Sequence, residues 1–240
     1  MLRFTEVVAA LGIGLVSLFG YAERSSAAEK PITAIDVVLD PDATMIRHAE
    51  AANARLLKVF PKGFALDDTH HPHITILQRY VRTADLDKVY AAVGKVLAKE
   101  RATSWNLKAL KYYYIPWKDN GLAGIVVEPT NNLIKLQNKL INAVARYAVK
   151  NGAAAAFAAP PEDPEINQPT IDYVTTFVPK ASGKHFNPHV TVGIASQDYL
   201  KEMLAEPFEE FTFSPAGASL YQLGNFGTAQ KQLKVWVLKP

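Results

Sequence analysis

From residue 31 onward the apolar positions of this 240-residue chain follow two rhythms, and each rhythm assigns its own elements. Alternation with period two, or a continuous β-branched run, predicts strands over 32–39, from Ile74, over 105–115, 122–127 and 170–178, from Val190, and over 209–213, 218–223 and 233–238. A 3.6-residue repeat predicts three long helices. The first runs from Thr44 up to Pro61 with Met45, Ala49, Ala52, Leu56 and Val59 on one side. The second covers 83–99 with Leu86, Val89, Val93, Val96 and Leu97 aligned, and the third covers 130–149 with Leu133, Leu136, Leu140, Val144 and Tyr147 facing inward. A short helix follows Ser196. Thr83, Thr130 and Ser196 are the expected N-caps, because a hydroxyl there accepts from the unpaired amides of the first turn. Lys118-Asp119-Asn120-Gly121 reads as a hairpin turn, and Asn151-Gly152 as the end of the third helix. Mixed strands and helices with hairpin signals predict α+β layers with antiparallel sheets.

The segment 151–169 breaks both rhythms, with an alanine run and then Pro160, Pro161, Pro164 and Pro169, and reads as a loop at a seam between two halves of the chain. Residues 1–28 have a different character. Arg3 is followed by an apolar run from Val7 to about Ala22 and by Ser26-Ala27-Ala28, which has the small-x-small form of an export-signal cleavage site. Cleavage is expected after Ala28, leaving a single domain over 29–240. Such a protein is periplasmic or secreted, with no stable membrane insertion once the leader is removed.

Composition narrows the function. A chain that is 49% hydrophobic and 20% charged buries a substantial core. Its net charge of +3 is too small for a protein that wraps duplex nucleic acid, and a small anionic ligand suits it better. The absence of cysteine removes disulfides, thiolate nucleophiles and thiolate metal sites from consideration.

Two stretches echo one another: Pro72-His73-Ile74-Thr75-Ile76 and Pro188-His189-Val190-Thr191-Val192. On a strand, side chains two apart share a face, so each motif presents an imidazole and a hydroxyl together. Ile74 and Ile76 on one strand, and Val190, Val192 and Ile194 on the other, are expected to point the opposite way, into a core. If the two strands lie together, two imidazoles and two hydroxyls converge on one cleft. That set suits phosphoryl chemistry: one imidazole takes a proton, the other gives one, and Thr75 and Thr191 hold phosphate oxygens. No metal or other cofactor is required.

Paired, well-separated His-x-Thr-hydrophobic motifs resemble those of the two-histidine (2H) phosphoesterase superfamily, which includes 2′-5′ RNA ligase-like RNA 2′,3′-cyclic phosphodiesterases. The resemblance covers about residues 31–240. It implies two similar lobes, interleaved along the chain, with antiparallel sheets around a central cleft and helices outside. It also implies a metal-independent phosphodiesterase, acting on a small nucleotide or oligonucleotide with a cyclic phosphate, in which His73 donates a proton to the departing ribose oxygen and His189 activates water. The motifs themselves are nearly symmetric and do not assign these roles. Tyr221 lies on a late strand where the family often places cleft residues, and Lys184, with Lys180, precedes the second motif where a cation steers a phosphate. A monomer is expected. The alternative is an exported, non-catalytic module that binds a nucleotide or another phosphorylated ligand.

Other features carry less. His70, His71 and His73 crowd one loop, but neighbours interrupted by Pro72 seldom share metal-ligand geometry. His185 and His189 are four apart, yet Pro188 and a β-branched run exclude the helix that would pair them. His48 reads as a surface residue. The aromatic run Tyr112-Tyr113-Tyr114 with Trp117 serves either a core or a base-stacking wall.

Overall fold

The computed structural model describes residues 31–67, 69–161 and 164–240. The expected leader, 1–28, lies outside the described residues. One antiparallel sheet runs through the molecule in the order β7-β3-β4-β6-β2-β1-β8-β9. Its strands are β1 (Ile32–Pro41), β2 (Ile74–Arg82), β3 (Leu107–Trp117), β4 (Asn120–Val127), β5 (Ala148–Val149), β6 (His189–Ser196), β7 (Phe211–Phe213), β8 (Pro215–Leu223) and β9 (Ala229–Val237). The short β5 pairs with β2 off the main path.

The sheet divides into two four-stranded lobes. One is β2-β1-β8-β9 and the other β6-β4-β3-β7, and they meet at β2 and β6 through a single backbone pair, Ile74 with Val190. Each lobe takes strands from both halves of the sequence, so the lobes are interleaved. Both carry the same irregularity. Thr75 pairs with Val38 and Leu77 with Val37, so Ile76 is an extra residue; Thr191 pairs with Gly124 and Gly193 with Ala123, so Val192 is an extra residue. A bulge of this kind reverses the alternation beyond it. That is why Ile194, expected in the core, is only half-buried while Ala195 is buried. Gly193 takes φ +143°, and a Cβ there would press to 3.0 Å from Asn53 and Leu56, so the second bulge depends on glycine.

The helices are α1 (Ala43–Val59), α2 (Leu86–Leu97), α3 (Asn131–Val144), α4 (Gln168–Lys180) and α5 (Gln197–Ala205). The first three and α5 bury their apolar stripes against the sheet face that carries Ile74, Ile76, Val190 and Val192. Met45, Ala49, Ala52 and Leu56 are buried as the repeat predicts, whereas Val59 at the end of α1 is half exposed. The caps follow expectation at Thr130 and Ser196, whose hydroxyls accept from Leu133 and Tyr199. Asp42 caps α1, accepting from Thr44 and Met45. Thr83 is no N-cap: its hydroxyl meets that of Thr33, and one 3₁₀ turn, Thr83–Asp85, precedes α2.

Three further expectations are corrected. Residues 170–178 form most of α4, not a strand. Asn167 accepts from the Thr170 amide, Pro169 sits in the first turn where no amide partner is needed, and Thr170, Val174 and Phe177 are buried at helical spacing. Thr175 and Thr176 return their hydroxyls to the carbonyls of Ile171 and Asp172, which lets β-branched residues sit in the helix. The third helix stops at Val144, and its chain continues through a 3₁₀ turn into β5, so Tyr147 and Asn151-Gly152 lie beyond it. Finally, the β3-β4 hairpin turns on Lys118-Asp119, with Lys118 at φ 51°, and Asn120-Gly121 belongs to β4. Packing explains the glycine: a Cβ on Gly121 would stand 2.6 Å from the Tyr114 ring.

Candidate active site

The Ile74–Val190 pair fixes the geometry of the two motifs. Antiparallel register carried one residue either way sets His73 against Thr191 and Thr75 against His189. Ile74 and Val190 face the core, so all four polar side chains face the other way. They line one cleft of about 240 Å³, and the expected convergence of the two motifs is what the fold delivers.

Both imidazoles are oriented by the backbone two residues upstream. Nδ1–H of His73 donates to the His71 carbonyl at 2.6 Å, and Nδ1–H of His189 donates to the Asn187 carbonyl at 2.8 Å. Each Nε2 is thereby left free for proton transfer in the cleft. Burial drives both imidazoles toward the neutral form; His73 falls to about 4, and His189 also lies below its usual value. Tyr113 rests edge-on against His189 with 4.9 Å between ring centres.

Behind His73 lies Asp36 of β1, a fully buried carboxyl in the middle of an apolar strand. Its Oδ2 accepts from Thr75 Oγ1 at 2.7 Å and from Gln78 Nε2 at 3.0 Å, and stands 3.8 Å from His73 Nε2. Its Oδ1 has no hydrogen-bond partner among the described residues. Burial pushes Asp36 up to about 7, with the two hydrogen bonds opposing that rise. The sequence reading missed this residue. The signal was present, because an aspartate inside Ala34-Ile35-Asp36-Val37-Val38 is rarely buried without a specific partner.

Aromatic side chains close the cleft. Trp117 at the hairpin tip of one lobe meets Phe226, in the loop between β8 and β9 of the other, and Tyr173 of α4 faces in beside them. The loop is tied to the start of α4, since Asn167 donates through its backbone and side chain to Asn225 and the Phe226 amide donates to Thr170. Phe226 is held at φ 56°, a left-handed conformation unusual for a bulky residue. Of the aromatic run, Trp117 and Tyr113 reach the cleft region, whereas Tyr112 and Tyr114 pack against the core. No Lys, Arg, Asp or Glu is among the described residues lining the cleft.

The remaining candidates sit elsewhere. Tyr221 is buried between Val38 and Ala229 and its hydroxyl accepts from Gln232, so it does not line the cleft. Lys184 is exposed on a 3₁₀ turn, Gly183–His185, away from the lining residues. His70 stacks on Phe64, and His71 contributes its carbonyl to His73. Among the described residues no group of three His, Cys, Asp or Glu side chains is placed to hold a metal ion. None of their helices is long and apolar enough to cross a membrane.

No family model matches the chain, and no curated protein does. Solved structures do. TT0787 of Thermus thermophilus superposes with a TM-score of 0.51 at 17% identity, over 86% of this chain and 98% of that one. LigT of E. coli in complex with 3′-AMP gives 0.45 at 16% identity, over 88% and 99%. The fold implied by the paired motifs, that of the two-histidine phosphoesterases, is the fold this chain has.

Proposed function

We propose that the protein is a metal-independent two-histidine phosphodiesterase that hydrolyses the cyclic phosphodiester of a small nucleotide. The observation that carries this reading is the placement of His73, Thr75, His189 and Thr191 on one cleft, with each imidazole opposite the other motif's hydroxyl. Phosphorus bound between them has a proton acceptor on one side and a proton donor on the other. Attack by water and departure of the ribose oxygen then proceed in line, with His189 removing a proton from water and His73 delivering one to the leaving oxygen. The Thr191 hydroxyl lines the cleft and neither accepts nor donates a hydrogen bond among the described residues, so it can donate to a phosphate oxygen.

The character of the cleft supports a compact substrate with one negative charge. Aromatic and aliphatic walls offer a base a surface to stack on. With neutral imidazoles and no lysine or arginine among the described residues lining it, the cleft has nothing to neutralise further phosphates along a strand. Export of the chain after loss of residues 1–28 belongs to the same proposal; mass spectrometry of the exported protein is expected to find Glu29 first.

The test is an assay of purified protein on adenosine 2′,3′-cyclic and 3′,5′-cyclic phosphates in excess EDTA. Turnover of at least one is expected. Binding without turnover of either would favour the non-catalytic module, and activity abolished by EDTA and restored by a divalent metal would overturn the metal-independent mechanism.

A further inference from the structure

The two motif strands are so alike that the positions around them can be matched pair by pair. Thr75 pairs with Val38 and Thr191 with Gly124; past the shared bulge, Gln78 pairs with Asp36 and Ile194 with Leu122. Under His73 and Thr75 the fold therefore places a carboxyl and an amide, and at the equivalent place under His189 and Thr191 it places two aliphatic side chains. The near-symmetry of the catalytic motifs is broken at this one layer.

We propose that Asp36 is a positioning residue that holds the proton His73 needs and so makes His73 the general acid and His189 the general base. This rests on the function proposed above. In the free cleft both imidazoles are neutral, and an acid must be supplied with a proton before it can act. Asp36 is the adjacent source: its Oδ2 lies 3.8 Å from the bare Nε2 of His73, while Nδ1 is engaged with the His71 carbonyl. When an anionic phosphodiester enters, its charge favours imidazolium. The Asp36 carboxyl gives up its proton as His73 takes one at Nε2, and the carboxylate left behind, 3.8 Å from that nitrogen, balances the imidazolium and is received by two donors already in place, Thr75 Oγ1 and Gln78 Nε2.

The step balances. As the water oxygen bonds to phosphorus, one water proton goes to His189 Nε2; as the bond from phosphorus to the ribose oxygen breaks, that oxygen takes the proton from His73 Nε2. Release of the His189 proton to solvent and uptake of one by the Asp36–His73 pair restores the cleft. The titratable groups around Asp36 are His73 on β2, His71 in the preceding loop, Asp40 further along β1, Tyr221 on β8, Tyr173 on α4 and His189 across the cleft. None is a lysine or arginine, so no fixed positive charge competes for the carboxylate. Leu122, at the matching place, offers His189 no such partner.

The experiment compares two substrates that differ in their need for an acid. Adenosine 2′,3′-cyclic phosphate expels an alkoxide, whereas methyl p-nitrophenyl phosphate expels a stable phenolate. D36N is expected to lower kcat on the cyclic nucleotide by about 10²-fold and on the aryl ester by no more than about threefold, the same selectivity as H73A. H189A should impair both. Q78L, which removes one donor to the carboxylate, should give a smaller loss of the same selective kind. A second measurement does not depend on turnover: ¹⁵N-histidine spectra with inorganic phosphate bound at neutral pH. His73 is expected to be the protonated ring in the wild type and neutral in D36N, with the other histidine signals unmoved as evidence of folding. Equal losses on both substrates, or His73 protonation unchanged in D36N, would overturn the proposal. Absence of turnover on either ester in the wild type would remove the proposed function, and the spectra would still decide where the proton resides.

Discussion

Trp117 stands edge-on to Phe226, ring centres 4.8 Å apart, and this contact joins the hairpin tip of one lobe to a loop of the other across the mouth of the cleft. Beneath it the lobes share one backbone pair, Ile74 with Val190. The aromatic pair is therefore both a wall of the cleft and a tie between lobes.

Replacing Trp117 by Ala removes the stacking surface and leaves the histidines in place. KM for adenosine 2′,3′-cyclic phosphate should rise about tenfold, in keeping with roughly 1–3 kcal/mol for one base stacked on an aromatic ring. kcat should change little. A kcat loss with unchanged KM would show that the wall acts on chemistry and not on binding.

His73→Ala and His189→Ala should each lower kcat on the cyclic nucleotide by roughly 10²–10⁴-fold, the usual contribution of general acid–base catalysis. Both residues lie on the cleft side of their strands, opposite buried Ile74 and Val190, so each variant should keep a cooperative unfolding transition. Near wild-type turnover in either variant would contradict the mechanism.

Burial lowers His189 below the usual histidine value near 6.5 and raises Asp36, which holds the proton for His73, to about 7, so in the kcat/KM profile, which reports the free protein, the acid limb should fall below 6.5 and the alkaline limb near 7. The profile of kcat should lie higher, because bound phosphate favours imidazolium. A steady-state pH series resolves the two.

Stability should depend on pH through the same groups, with opposite signs. His73 titrates near 4 folded and near 6.5 unfolded, so below 6.5 the unfolded chain binds more protons and stability falls as pH drops toward 4. Asp36 titrates near 7 folded and far lower when unfolded, so its contribution is greatest at the acid end and is lost as pH rises to about 7. Relative to wild type, D36N should therefore gain stability as pH is raised from 4 to 7 and level off above. Urea unfolding of both proteins across this range measures the difference.

With no lysine or arginine among the described residues lining the cleft, KM for the mononucleotide should change less than about twofold between roughly 50 and 250 mM salt. Oligonucleotides ending in a cyclic phosphate should bind no more tightly than the mononucleotide. Tighter binding with a steep salt dependence would reveal cationic contacts outside the cleft.

Much of the site was legible before any coordinates. Two-residue alternation placed His73 with Thr75 and His189 with Thr191, and the helices at Met45–Leu56 and Leu133–Val144 followed from their apolar spacing. Misreadings came where a local signal competed with packing. Thr170–Phe177 is rich in β-branched and aromatic residues, yet its Asn167 cap and the burial of Val174 and Phe177 make it a helix. Asn120-Gly121 has the chemistry of a turn, but the Tyr114 ring demands the glycine inside a strand. Tyr221 sits on a strand of the right lobe, and its hydroxyl is taken by Gln232.

Sequence by itself determined what depends on a few neighbouring residues: which segments alternate, which repeat every 3.6, and which faces carry an imidazole with a hydroxyl. Only the tertiary structure decided what depends on strand order. It brought β2 and β6 together from more than a hundred residues apart, wove each lobe from both halves of the chain, and set Asp36 beneath one histidine and Leu122 beneath the other. Side-chain periodicity is a local consequence of backbone geometry, whereas the partner across a sheet is chosen by the burial of every strand at once.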